Sequence, residues 1–168
     1  MVSQQAALPL LFGHWAKRVT GSDYKPSHAY RQVGQLPAFV LADAAVAQLS
    51  PVSALIHISD YQLRHALRPV KQSRGAALPA HVVAQLPDSL GNARWFYDSH
   101  HGNLIAAFDS GGSMAKAAVV INFVKKNVRR NTIVTLGLVD VRNLGERRLR
   151  EIKPSRAAGA STPAPPGA

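Results

Sequence analysis

ARWFYDSHHGNLIAAFDSGGSMAKAAVVINFVKKNVRRNTIVTLGLVD, residues 93–140, is the stretch whose reading decides the fold. Its short apolar runs are separated by SHHGN, SGGS and KKNVRRN, each a natural place to turn. The runs carry Val, Ile, Phe, Trp and Tyr, side chains that suit a pleated, half-buried surface. The spacing predicts an antiparallel meander with Lys125, Lys126, Arg129 and Arg130 crowded at one rim. AAVVINFV is apolar on both faces, which predicts a central strand with a helix against one side.

Upstream of the meander the pattern turns helical. Phe39, Val40, Val46 and Leu49 recur at helical spacing among alanines, predicting an amphipathic helix from Pro37 to Leu49 that stops at Ser50-Pro51. ALIHIS (54–59) is a compact β run. Ser59 or Asp60 can cap the helix that follows, since a short side-chain oxygen accepts from the free N–H groups of a first turn. In that helix, YQLRHALR, Leu63 and Leu67 share one face at i,i+4, and Arg64, His65 and Arg68 take the neighbouring faces. Pro69 limits it, and KQSRGAA reads as an exposed basic loop. LPAHVVAQLPDSLG reads as a short helix, a break at Pro87 and a further turn. Near the start, Trp15 with Lys17 and Arg18 suits a helix end, and GSDYKPSH is turn-like.

Downstream of Asp140, Glu146 to Glu151 reads as a short helix. The residues after it, rich in Pro, Ala and Gly, cannot build a core. The expected organisation is an N-terminal extension (1–34), a domain (35–150) and a flexible tail (151–168). The expected class is α+β: a small antiparallel sheet of four to five strands, packed on one face by N-terminal helices.

Composition narrows the function. The 168-residue chain holds 20 Lys+Arg against 9 Asp+Glu, a net charge of +11. Such an excess favours polyanions, most simply nucleic acid. With no cysteine, disulfides, thiolate metal sites and Cys nucleophiles are excluded. No apolar run approaches the roughly 20 residues of a membrane span, and MVSQQAALPLLFGHW lacks the basic start and cleavage site of a signal peptide. No membrane partner is expected.

Several chemistries lack their residues. No GxxxxGK[ST] or GxGxxG offers a phosphate cradle. His100 and His101 sit together at a turn with Asp98 close by, but adjacent turn residues rarely aim at one ion, so no metal or other cofactor is expected. The acids are few and scattered. His, Lys, Arg, Ser and Thr in a basic context remain, the groups that cleave RNA by proton transfer and charge stabilisation. His57, inside an apolar β run, reads as a structural, partly buried histidine. His65, on a helix beside Arg64 and Arg68, is the better candidate for chemistry. Lys125, Lys126, Arg129 and Arg130 either grip phosphates or protect a sheet edge.

The succession HISDYQLRHALRPVKQ, LPAHVVAQLPDSLGNARWFYD, NLIAAFD, AKAAVVINF and NTIVTLGLVD resembles a phage-associated nuclease domain of the barnase–EndoU–colicin–RelE-like group, found at the C-terminal end of Mu F-like head morphogenesis proteins. The likeness runs from Tyr30 to Leu144, in spacing rather than in an invariant signature. It implies an RNase-toxin-like fold with the active site on the exposed sheet face. It also implies a metal-independent endoribonuclease, cleaving by attack of the 2′-OH. His65 would be general acid or base, Lys125 and Arg68 phosphate ligands, and Lys71 a further cation. Thr135 and Ser59 would be positioning hydroxyls, with Lys126, Arg129 and Arg130 holding the substrate. Implied partners are RNA (tRNA or other cellular RNA), phage head proteins or an immunity protein, and the implied setting is a bacterial cytoplasm or a phage virion. Many relatives carry a histidine-proline pair where this chain has RGAAL (Arg74–Leu78). The resemblance therefore leaves two readings: His65 takes that role from the preceding helix, or the domain is a catalytically inactive head-assembly or nucleic-acid-binding module.

Overall fold

A computed structural model of the chain describes residues 4–68, 75 and 77–155. One sheet organises them. Its strands are β1 (Tyr30–Gln35), β2 (Leu55–Ser59), β3 (Arg94–Asp98), β4 (Asn103–Ser110), β5 (Ser113–Lys125), β6 (Val128–Leu138) and β7 (Leu149–Ile152), in the order β1-β2-β6-β5-β4-β3-β7. All neighbours are antiparallel except β2 and β6, which run parallel. The described helices are α1 (Gln4–Val19), α2 (Ala38–Leu41), α3 (Ala44–Gln48), α4 (Asp60–Ala66), α5 (Ala80–Ala84) and α6 (Leu86–Gly91), with a 3₁₀ turn at Val141–Gly145. The class is α+β.

The meander forms β3 to β6 as its turn chemistry dictates. Asp98 accepts from the backbone N–H groups of His100 and His101, building the first turn. Lys126 and Asn127 carry φ of 50° and 62° at the last, the left-handed pair that closes a two-residue hairpin with the right twist. β5 lies fourth of seven strands, as its two-sided apolar pattern requires.

The helices cover one sheet face. Ile56, Ile58, Leu104, Phe108, Val119 and Ile133 meet Phe12, Trp15 and Val19 of α1, Leu63 of α4 and Leu86 of α6 in the main core. Each fully buried Leu, Ile or Val there contributes about 1.5–3 kcal/mol. On the other face, Phe96, Ile105, Ala107 and Ala118 form a smaller cluster under Leu144. The β1–β2–β6 end of that face is polar: Gln32, His57 and Thr132 are in register across the three strands, on the side opposite Ile56 and Ile58.

Four expectations need correction. The sheet has seven strands rather than four or five, because two polar edge strands were not legible as strands. β1 (YRQVGQ) places one wholly buried side chain, Val33, and β7 (LREI) one, Ile152. The helix expected at 146–151 is therefore β7, preceded by the 3₁₀ turn. β1 spans positions 34 and 35, β7 spans positions 150 and 151, and Phe12, Trp15, Ala16 and Val19 of α1 lie in the main core. The tail beyond residue 155 lies outside the described residues. The helix expected at 37–49 is split: Asp43 takes an extended φ/ψ and caps α3 by accepting from Ala45 and Val46. That carboxylate also pairs with Arg150 of β7 at 2.8 Å. Pro87 begins α6 instead of ending a helix, as suits a residue whose missing N–H is not needed in a first turn.

Candidate functional site at the basic rim

The β5–β6 hairpin outruns its neighbours. β4 pairs with β5 only as far as Val119, and β2 meets β6 at Asn131 and Thr132. Beyond a bulge between Val120 and Phe123, residues 123–130 therefore extend past the neighbouring strands as a two-stranded arm. Two asparagines anchor its base. Asn122, at φ 56°, donates to the Leu49 and Ser50 carbonyls and accepts from Val52 N–H. Asn131, wholly buried, donates to the Ser53 and Leu55 carbonyls and accepts from Asn122 N–H.

Two side chains of the arm reach the segment that leads into β1. Lys125 Nζ lies 3.4 Å from His28 Nδ1, and the Arg130 guanidinium sits 4.4 Å over the ring of Tyr30. Since β2 separates β1 from β6, the second contact passes over β2.

His28 in turn packs on α4. Its ring centroid is 5.5 Å from that of Tyr61, which is 6.0 Å from that of His65 one helical turn later. His65 Nε2 is 2.8 Å from Arg68 Nη2. A guanidinium only donates, so His65 Nε2 is the acceptor of this contact. The result is a continuous rim: Lys125, His28, Tyr61, His65, Arg68. An open cleft of about 320 Å³ beside it is lined by Thr20, Pro26, Tyr61, Arg64, His65 and Arg68.

Asp60 builds this rim from beneath. It is fully buried, and one oxygen accepts from the Tyr24 hydroxyl (2.8 Å), Ser27 N–H (2.8 Å) and the Ser27 hydroxyl (3.3 Å); the other accepts from Tyr61 N–H (2.7 Å). Its own N–H donates to the Ala29 carbonyl at 2.9 Å. Both neighbours of His28 are thus tied to the residue that precedes Tyr61. The grip matters because His28 has φ 60°, a left-handed conformation that costs a non-glycine residue about 1 kcal/mol or more. Burial raises the Asp60 pKa, but the hydrogen bonds from Ser27, Tyr24 and Tyr61 outweigh it, and the net shift is downward.

The structure brings together some of the anticipated residues and separates others. His65, Arg68 and Lys125 share the rim. Ser59 does not join them: its hydroxyl is buried and accepts from Gln62 N–H as the cap of α4. Thr135 is exposed, in register with Ala118 of the smaller cluster and five residues along β6 from Arg130. Lys126 is in the hairpin turn, Arg129 alternates to the face opposite Arg130, and Lys71 lies outside the described residues. Arg64, a neighbour of His65 in sequence, caps α1 by donating to the Val19 and Gly21 carbonyls.

The SHHGN turn is organised by Asp98, which accepts from His101 Nδ1 and Arg148 at 2.9 Å each. Among the described residues no group of three or more His, Asp or Glu is placed to hold a metal ion, and no described helix is long and apolar enough to cross a membrane.

Sequence reasoning passed over His28, Tyr61 and Tyr30. Tyr61 had a signal, its i,i+4 spacing to His65. His28 had only its place in a turn just before a strand. Compared with protein-family models, curated proteins and solved structures, the chain matches none.

Proposed function

We propose that the rim is the active site of a metal-independent endoribonuclease, in a domain of the RNase-toxin type carried by a phage or prophage protein. The observation that carries the reading is the pair of imidazoles on either side of Tyr61, each next to a cation, on a chain of net charge +11. Cleavage of RNA without a metal needs a base at the 2′-OH, an acid at the leaving 5′ oxygen, and cations on the phosphate between them. His65 Nε2, once Arg68 turns to the phosphate, takes the 2′ proton. The 2′ oxygen forms a bond to phosphorus as the bond from phosphorus to the 5′ oxygen breaks. The His28–Lys125 pair, 3.4 Å apart, returns a proton to the 5′ oxygen. The products are a 2′,3′-cyclic phosphate and a 5′-hydroxyl. Thr135 and Ser59 take no part in this scheme.

The test is incubation of the purified chain with RNAs of varied sequence in EDTA, with analysis of the ends produced. His65→Ala and His28→Ala are each expected to slow cleavage by about 10²- to 10⁴-fold while RNA binding stays within about twofold, since neither removes a phosphate-binding cation. If the parent chain cuts no RNA, the enzyme reading fails. A non-enzymatic nucleic-acid-binding or head-assembly module is then what the basic rim serves.

A further inference from the structure

The Arg130–Tyr30 stack lies next to the rim but has no part in the proton transfers. The two residues come from β6 and β1, so the stack bridges the intervening β2. Both side chains are half-buried, which leaves the stack open to solvent on one side. Tyr30 pairs with Ser59 on β2, and His57, two residues along on the same face and within reach of the Arg130 charge, is in register with Gln32 of β1 and Thr132 of β6. His57 Nδ1 is buried and makes no hydrogen bond among the described residues, an unfavourable state for a buried polar atom. Burial, and secondarily the Arg130 charge, lower the pKa of the ring. A neutral imidazole has one nitrogen that donates and one that accepts. A flat aromatic surface, a cation on top of it and, next to that cation, an unused polar atom therefore lie together.

We propose that Tyr30, Arg130 and His57 form a nucleobase-stacking subsite for single-stranded RNA, in which a base replaces the Arg130 guanidinium on the Tyr30 ring. The inference rests on the RNA reading of the adjacent rim and gives it a substrate class. In the unliganded chain the guanidinium holds the base's place. When a base stacks on Tyr30, Arg130 turns to the strand's phosphates, and the base edge supplies the partner that His57 Nδ1 lacks. The subsite is well placed for this role. Tyr30 follows His28 by two residues, at most about 7 Å along the chain, so a base there belongs to a nucleotide next to the one cleaved. Stacking also selects unpaired strands, because a base inside a duplex presents no free face.

The test is equilibrium binding of a fluorescent 2′-O-methyl RNA 12-mer, which has no 2′-OH to attack, to the full chain in EDTA. The same RNA with one abasic nucleotide, moved along the strand, is measured in parallel. Tyr30→Ala is expected to weaken binding about 5- to 100-fold, the range of a single base–aromatic stack, while Tyr30→Phe stays within about threefold. At one position the abasic nucleotide is expected to weaken binding by the parent chain and to leave Tyr30→Ala unaffected. Tyr30→Leu, which keeps apolar bulk on β1 without an aromatic face, gives the same loss and serves if the alanine variant does not fold. Binding that ignores Tyr30, or abasic losses equal in parent and variant, overturns the subsite. Cleavage of unmodified RNA is scored separately. Cleavage with Tyr30-independent binding sinks the subsite alone, and Tyr30-dependent binding without cleavage sinks the nuclease alone.

Discussion

Asp60→Ala tests whether the rim is built as described. The substitution removes a wholly buried carboxylate that accepts four hydrogen bonds, three of them between 2.7 and 2.8 Å. Hydrogen bonds to a charged group are each worth about 1.5–3 kcal/mol net. The released hydroxyls of Tyr24 and Ser27 can turn to water, so the loss is carried mainly by the Ser27 and Tyr61 N–H groups. We expect about 3 kcal/mol of lost stability at pH 7, read as a lower urea midpoint with unchanged slope. A thermal midpoint about 6–12 °C lower corresponds to it.

The pH dependence supplies a stricter check of the same clamp. The folded-state pKa of Asp60 is depressed, the net result of burial that raises it and hydrogen bonds that lower it further. The folded chain therefore binds its proton less readily than the unfolded chain does. The clamp's contribution is complete above the ordinary Asp value of about 3.9 and is lost as pH falls through the lower folded-state value. The stability difference between parent and Asp60→Ala should be flat from pH 7 to about 5 and then shrink on acidification. A difference under about 1 kcal/mol at pH 7, or one that grows as pH falls, refutes the clamp. Because Ser27, next to His28, is held by the Asp60 carboxylate, cleavage should also fall at temperatures where the variant is still folded.

Other substitutions separate the parts. Asn122→Ala removes three side-chain hydrogen bonds and puts alanine at φ 56°; we expect a loss of about 2–3 kcal/mol in urea unfolding, with Asn122→Gly about 1 kcal/mol milder because glycine accepts that φ. Lys125→Ala should lower the slope of log affinity against log salt for single-stranded RNA by about 0.7, one phosphate contact, in a titration by fluorescence anisotropy. Thr135→Val should leave both RNA binding and cleavage within about twofold of the parent, and a larger loss would place Thr135 in the site after all. Asp98→Asn breaks the pairing with Arg148 and His101; a loss of about 2–3 kcal/mol in urea unfolding is expected, with no change in cleavage.

How much of this was legible in the sequence follows from where the information lies. The meander was readable because β3 to β6 are joined by short turns and pair with their sequence neighbours, so local periodicity and turn chemistry nearly determine them. β2 and α4 were readable because a compact apolar run meets a capping serine. The edge strands were not. β1 and β7 are held by backbone pairing to partners far away in sequence, and each needs only one wholly buried side chain, so neither has an apolar alternation to read. Asp43 misled in another way: within an alanine-rich helical pattern, its carboxylate caps a second helix and pairs with Arg150, more than a hundred residues on.

The site shows the same division between local and distant information. His65 and Arg68 are one helical turn apart, so their association was local and could be anticipated. The link from Lys125 to His65 depends on three long-range facts: the arm that passes the end of β2, the left-handed turn at His28, and the buried carboxylate that fixes that turn against α4. None of them has a periodicity. Asp60 leaves no trace of its role in a linear reading, because an aspartate in a helix's first turn is ordinary whether or not four donors from elsewhere converge on it. The basic excess raised the expectation of a polyanion from composition alone. It is the packing around one silent carboxylate that brings two histidines from separate segments to either side of Tyr61, and this is what turns a charged edge into a candidate for chemistry.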